Sequence, residues 1–163
     1  MGEKRRILGL DIGDKRTGVA ASDPEGILAS PLTVFTSKDE ETRVKKILQL
    51  AEQCNAGCIV IGLPLRMDGA TGTQASKITS FAEKLSSRAK QSGLSHIAIY
   101  LWDERLSTKA IERLKIEAHN QRNRLHPRRR GKPGDTMTDA LAAAFILQGF
   151  LDSLKSRGQC PDS

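Results

Sequence analysis

Acidic side chains stand at three places in this chain where their surroundings are apolar. Asp11 lies inside the run Ile7-Leu8-Gly9-Leu10-Asp11-Ile12-Gly13, Asp103 and Glu104 close the run Ile97-Ala98-Ile99-Tyr100-Leu101-Trp102, and Asp139 precedes the apolar stretch that begins at Ala140. Strand side chains alternate faces, so Ile7, Gly9, Asp11 and Gly13 share one side and Leu8, Leu10 and Ile12 the other. A carboxylate in such a strand is costly to bury unless a cation, a metal or good hydrogen bonds compensate it. Two readings of Asp11 stand: a functional carboxylate, or a strand-end aspartate that accepts hydrogen bonds from the turn Gly13 to Thr17. Acidic residues at the carboxyl end of a sheet strand lie where open α/β sheets place their ligands. Asp103 and Glu104 point to opposite faces if their strand stays regular, so only one of them can join Asp11. The alternative there is a helix start, with acids favoured by the dipole and Ser107 and Thr108 capping. Asp139, in the first turns of the last helix, is open to the same dipole reading.

Cations are the second chemical resource. Lys15 and Arg16 follow Asp11 in the turn Gly13-Asp14-Lys15-Arg16-Thr17-Gly18, and Arg66 stands in a loop rich in glycine and hydroxyls, residues 65–73. Residues 119–134 hold Arg122, Arg124, Arg128, Arg129, Arg130 and Lys132 with no acid, two prolines and two glycines. Such a stretch cannot pack a core and is expected as a mobile loop whose sign suits phosphate backbones, although a solvated charge run needs no function. The loop at 65–73 leads into a helix whose free amides could hold a phosphate, or it is an ordinary polar turn with an N-cap.

The whole chain carries 26 Lys and Arg against 19 Asp and Glu, a net charge of +7, which favours an anionic partner. Nucleic acid is preferred to a membrane surface, because the sequence has no apolar run of membrane-spanning length and no signal-peptide pattern. Cytoplasmic residence is the expectation. At 163 residues one core is affordable and two full enzyme domains are not, so a single domain over residues 1–163 is expected. Three cysteines cannot all pair within one chain. Cys54 and Cys58 lack a second Cys or His pair at a finger-like spacing and read as small apolar residues, not zinc ligands.

The elements that must position these groups follow in order. After the two strands flanking the Gly13 to Thr17 turn, Ile27 to Phe35 reads as an edge or broken strand because of Pro31. Val44, Ile47, Leu48 and Ala51 give a helix over residues 39–54, and Cys58 to Gly62 a strand buried on both faces. Ile78, Phe81, Ala82 and Leu85 mark a second helix ended by Gly93, Ile97 to Trp102 a fifth strand, and Ile111 and Leu114 a short helix. The last helix, residues 135–155, carries an expected buried stripe of Leu141, Ala144, Phe145, Gln148 and Leu151. Its run Ala142-Ala143-Ala144 suggests close packing on the sheet, which would set Asp139 against the strand ends.

Three strands followed by alternating helix and strand, with acids at these places, is similar to the ribonuclease H-like fold. The motifs LGLDIGDKRTGVAASD, GLPLRMDG, DERLST and DALAAAFILQGFLD resemble those of the YqgF/RuvX family, described as Holliday junction resolvases and as pre-16S rRNA nucleases. The resemblance spans residues 7–152 with four motifs in order. It implies an α/β fold with a mixed five-stranded sheet flanked by helices, and an acidic triad of Asp11, Glu104 and Asp139, with Asp103 a less favoured substitute for Glu104. Relatives tend to carry tyrosine where Ile12 stands, and Asp14 adds a carboxylate near the site whose part in metal binding is open.

Hydrolysing a phosphodiester needs a nucleophilic water and a stabilised leaving oxygen, which two Mg²⁺ or Mn²⁺ ions about 3.5–4 Å apart supply, and hard carboxylate oxygens suit both metals. On this reading Asp11 bridges two ions, Glu104 and Asp139 each hold one, Lys15 and Arg16 meet the scissile strand, and Arg66 and the basic loop contact substrate. The preferred activity is 5′-end processing of pre-16S rRNA in ribosome biogenesis. The alternatives are Holliday junction cleavage, with branched DNA as partner, and a non-catalytic RNA-binding maturation factor. A monomer and a homodimer are both compatible, but paired cuts in a junction would need a two-fold dimer. The DIG motif also resembles the first phosphate motif of actin-like kinases, but the second domain and second phosphate loop those need have no counterpart here.

Overall fold

The structure, a computed structural model, describes residues 4–64, 72–103 and 136–156. Five strands, β1 (Arg6–Ile12), β2 (Arg16–Ser22), β3 (Ala29–Thr36), β4 (Ala56–Leu63) and β5 (Ala98–Asp103), form one sheet in the order β3-β2-β1-β4-β5. The first three are joined antiparallel, whereas β4 runs parallel to β1 and β5 parallel to β4. Parallel neighbours need long crossovers, and helices α1 (Glu40–Gln53) and α2 (Thr73–Gln91) lie in those connections. The remaining described helix, α3 (Thr136–Ser156), covers the opposite face. None of the described helices is long and apolar enough to cross a membrane.

Alternation along the strands divides the core into two layers. Leu8, Leu10, Ile12, Val19, Ala21, Ile59 and Ile61 pack with the apolar sides of α1 and α2, while Ile7, Ala20, Cys58 and Val60 pack with α3. β4 contributes to both layers, which is why its sequence is continuously apolar. β3 is an edge strand, and its ladder shifts register where Pro31 faces Ala20, as a residue without an amide hydrogen requires. Ile27 and Leu28 precede the strand and donate their amides to the Asp23 carboxylate at 2.7 and 3.2 Å. Asp39 caps α1 by accepting from the Thr42 amide at 3.0 Å. α2 ends just before Gly93, whose φ of +78° is a left-handed conformation that costs glycine little.

Two expectations need correction. The buried side of α3 is Ala140, Ala143, Ala144, Ile146, Leu147 and Leu151, whereas Leu141, Phe145 and Gln148 are only partly buried. α3 is apolar nearly all round, so its period does not decide the face; the sheet does, through the glycines described below. Gln148 instead ties α3 to the start of β3: its Oε1 accepts from the Ala29 amide at 2.9 Å and its Nε2 donates to the Ile27 carbonyl at 3.0 Å. The N-cap of α2 is Gly72, which offers no side-chain cap, and the rest of the preceding loop, residues 65–71, lies outside the described residues. The short helix expected around Ile111 and Leu114, and the basic loop over 119–134, lie outside the described residues.

Candidate functional site

β1 and β2 run antiparallel with Asp11 opposite Gly18. Both face α3, since Asp11 alternates in phase with Ile7 and Gly9, and Gly18 in phase with Ala20. The absence of side chains at Gly9 and Gly18 is what lets α3 come down onto the sheet. A Cβ on Gly18 would lie 2.0 Å from the Asp139 carbonyl oxygen, and one on Gly9 would lie 2.6 Å from Leu147 Cβ and 2.9 Å from the Ala143 oxygen. The first turns of α3 thus rest directly over the residue paired with Asp11.

Asp139 Oδ2 is closed to solvent and has no hydrogen-bond donor. The side chain as a whole keeps 30% of its surface, and the Arg16 guanidinium stands beside it, with Nη1 3.6 Å from Oδ2. At that separation the two attract without sharing a hydrogen bond. A buried carboxylate oxygen without a donor, on the same side of the sheet as the partly buried Asp11, fits a hard cation, because oxygen ligands and negative charge are what Mg²⁺ or Mn²⁺ require. Among the described residues no three His, Cys, Asp or Glu side chains group as a metal site. Glu104, the third member of the expected triad, lies outside the described residues, as do Arg66, Arg122, Arg124, Arg128, Arg129, Arg130 and Lys132.

The two alternatives for additional ligands are placed elsewhere. Asp103 pairs with Leu63 in a row that alternates with Gly62 and Trp102, and Trp102 packs against the α3 layer. Asp103 therefore faces the α1 and α2 side, away from Asp11. Asp14 is 77% exposed and lies 4.0 Å from Lys77 Nζ across a cleft of about 500 Å³ that Lys38, Arg43 and Phe81 also line on that same side. Cys58 belongs to the core under α3, where burial pushes its thiol up to about 12 and keeps it protonated as a small apolar packing residue.

The cationic turn is held from beneath. Arg43 of α1 is only 7% exposed and Thr17 is fully buried, both on the α1 and α2 side. Arg43 Nε and Nη2 donate to Thr17 Oγ1 at 3.3 and 3.2 Å, Nη2 donates to the Gly13 carbonyl at 2.6 Å, and Nη1 donates to the Asp14 carbonyl at 3.4 Å. The guanidinium also lies 5.4 Å from the centre of the Phe81 ring. Desolvation pulls the Arg43 pKa below its ordinary value, opposed by the charges of Glu40 and Asp14. Sequence reasoning passed over Arg43 and Gly18. Arg43 does carry a signal, because 43, 47 and 51 share one helix face, and that face is apolar at the other two positions.

The comparisons with known proteins agree with this geometry. A family model described as "RuvX: Holliday junction resolvase" matches residues 5–153. A Clostridium acetobutylicum protein named "Putative pre-16S rRNA nuclease" is 38% identical over 149 residues, covering 91% of this chain and 99% of its own. A protein of the same name from Pelotomaculum thermopropionicum is 42% identical, covering 91% of this chain and 87% of its own. Among solved structures, Thermus thermophilus RuvC in complex with a Holliday junction substrate superposes with a TM-score of 0.54 at 14% identity, covering 91% of this chain and 96% of that one. The yeast mitochondrial Holliday junction resolvase Ydc2 gives 0.52 at 14% identity, covering 96% and 82%. At such identities the structural likeness speaks for the fold, which is the ribonuclease H-like arrangement expected from the motifs. With its four motifs, its sheet order and a family match over nearly its whole length, the chain belongs to the RuvX family.

Proposed function

We propose that this protein is a metal-dependent nuclease that hydrolyses phosphodiester bonds in structured nucleic acid, with the 5′ end of pre-16S rRNA as substrate. The observation that carries the reading is the Asp139 carboxylate, buried at Oδ2 without a donor and facing Arg16, on a residue whose backbone carbonyl rests on Gly18, the cross-strand partner of Asp11. Asp11, Asp139 and Glu104 would hold the metal. The support for Glu104 over Asp103 is the alternation of β5, which turns Asp103 to the other side of the sheet. When bound, a pair of divalent ions supplies an activated water and stabilises the leaving oxygen. Lys15 and Arg16 neutralise the phosphates flanking the scissile bond, and Arg16 can exchange its Asp139 partner for phosphate when a stronger cation takes that carboxylate. Arg66 and the basic residues of 119–134 extend the same contact to the strands beyond. The whole chain acts as one domain in the cytoplasm.

The names of the curated relatives favour ribosomal RNA, and the description of the family favours a DNA junction. Cleavage of a pre-16S rRNA fragment and of a four-way DNA junction by the purified protein, with Mg²⁺, with Mn²⁺ and with EDTA, separates them. Metal-dependent cleavage of the RNA in preference to the junction is expected. The reverse preference would establish the resolvase reading, and binding without metal-dependent cutting would establish the non-catalytic one.

The basic segment makes a separate, measurable contribution. If all six cations neutralised phosphates they would release about six counterions, and log affinity would fall with log salt by about 0.7 per contact on single strands and 0.9 on duplex. Replacing Arg122, Arg124, Arg128, Arg129, Arg130 and Lys132 with Ser is expected to flatten that slope by roughly two to five units, with little change in melting temperature. An unchanged slope would leave the segment a solvated charge run and move the anion-binding surface to Lys15, Arg16 and Arg66.

A further inference from the structure

Arg16 and Thr17 are successive residues of β2 and therefore point to opposite faces of the sheet. Arg16 reaches Asp139 on the α3 side, and Thr17 is bonded by Arg43 on the other. All four carbonyls of the turn that precedes Thr17 are accounted for. Those of Gly13 and Asp14 accept from Arg43, that of Lys15 accepts from the Ser37 amide at 2.8 Å, and that of Arg16 accepts from the Gly13 amide at 2.8 Å. Two of the four depend on one guanidinium, which also occupies the hydroxyl of the residue where the turn becomes strand. Arg43 has 7% of its surface exposed and lies on the side of the sheet away from Asp11 and Asp139, so it is not placed to touch a phosphate at their site.

We propose that Arg43 is a positioning residue: from the far side of the sheet it locks the turn that presents Lys15 and Arg16 to the phosphate backbone. The inference rests on the nuclease reading and adds a device to it. Lysine and arginine side chains lose much rotamer freedom on binding, and a backbone already fixed removes part of that cost. A turn released from Arg43 would present the same two charges from many backbone positions, with fewer of them engaged at once.

The test is binding of a fluorescent single-stranded RNA across a salt series, in the Asp11→Asn background so that nothing is cut. Arg43→Met keeps an apolar stem and removes the guanidinium. It is expected to flatten the salt slope by about 1.4, the loss of two single-strand phosphate contacts at roughly 0.7 each, although Arg43 itself makes none. In a background already carrying Lys15→Ala and Arg16→Ala, the same substitution is expected to change affinity less than about twofold, while still lowering the melting temperature. Arg43→Lys, which keeps the charge but not the fork, should fall between wild type and Met. An unchanged slope in Arg43→Met, or an affinity loss that adds in full to the Lys15 and Arg16 losses, would show a purely structural residue and overturn the proposal.

If Arg43→Met does not fold, Arg43→Lys, which keeps the charge but cannot span Thr17 and both carbonyls with one fork, replaces it, and a flattened slope relative to wild type is required of it. Amide exchange gives a readout independent of nucleic acid: the Gly13 and Ser37 amides should exchange at least tenfold faster in the folded variant, and unchanged protection would overturn the proposal. Wild-type cleavage keeps the two claims apart. A wild-type protein that neither cuts nor binds nucleic acid defeats the nuclease reading, whereas one that cuts, with a variant of unaltered slope, defeats only the role of Arg43.

Discussion

Asp11→Asn is expected to leave a folded protein whose metal-dependent cleavage rate is at least roughly 10³-fold below wild type, a barrier increase of about 4 kcal/mol. The substitution keeps the shape of the side chain and removes the charge. Asp11 faces Gly18 across the β1–β2 pair and asparagine fills nearly the same volume, so the melting temperature should move by no more than about 4 °C, the equivalent of about 1 kcal/mol at this chain length. Single-turnover cleavage at saturating Mg²⁺ measures the rate, and thermal denaturation measures the fold. A purified Asp11→Asn protein that still cuts at wild-type rate would remove Asp11 from the metal site. Asp103→Asn is the natural companion, because its row faces the other layer of the core and only a small loss is expected.

The second large effect is on stability. Gly18→Ala would set a methyl group 2.0 Å from the Asp139 carbonyl oxygen and 2.3 Å from its carbonyl carbon, which are backbone atoms of a helix and not the free end of a side chain. Either α3 lifts from the sheet at its first turns or β2 is pushed away from β3. Overpacking of this kind costs about 3 kcal/mol. For a chain of this length that corresponds to a melting temperature lower by about 6–12 °C. Cleavage should fall further than the folded fraction accounts for, because the displaced backbone is that of Asp139. Gly93→Ala is the control: at φ +78° with open space around it, it should cost only about 1 kcal/mol and leave cleavage per folded molecule unchanged. Equal, small effects of the two substitutions would mean that α3 does not seat Asp139 through Gly18.

Local rules explain why some of this was legible in the sequence. The alternation that sets Asp11 among Ile7 and Gly9 is a property of seven consecutive residues in β1, and the α1 face of Val44, Ile47, Leu48 and Ala51 is visible in one helix length. The strand period likewise parts Asp103 from Glu104, but that Asp103 is the one turned away from Asp11 follows only from the sheet pairing and the face that α3 covers. What was not legible depends on pairs far apart in the chain. α3 offers apolar residues on most of its circumference, so the buried face was misplaced until the two glycines of β1 and β2 showed where a helix can approach. Arg43 was passed over because a cation in a charged helix reads as solvated. Its burial is decided by the Thr17 hydroxyl and the Gly13 carbonyl, about thirty residues earlier. The cationic segment 119–134 and Glu104 were singled out from sequence and lie outside the described residues, so their parts in the site remain proposals.

The central claim is that carboxylates on β1 and α3 share one divalent-metal centre on the α3 side of the sheet. The most direct measurement is an anomalous difference map from crystals of the protein grown or soaked with Mn²⁺. The expected result is a peak within about 2.5 Å of carboxylate oxygens of both Asp11 and Asp139, lost in Asp11→Asn crystals treated in the same way. A map with Mn²⁺ bound only around Asp14 or Asp103, or with no ion between β1 and α3 at concentrations that support cleavage, would contradict it.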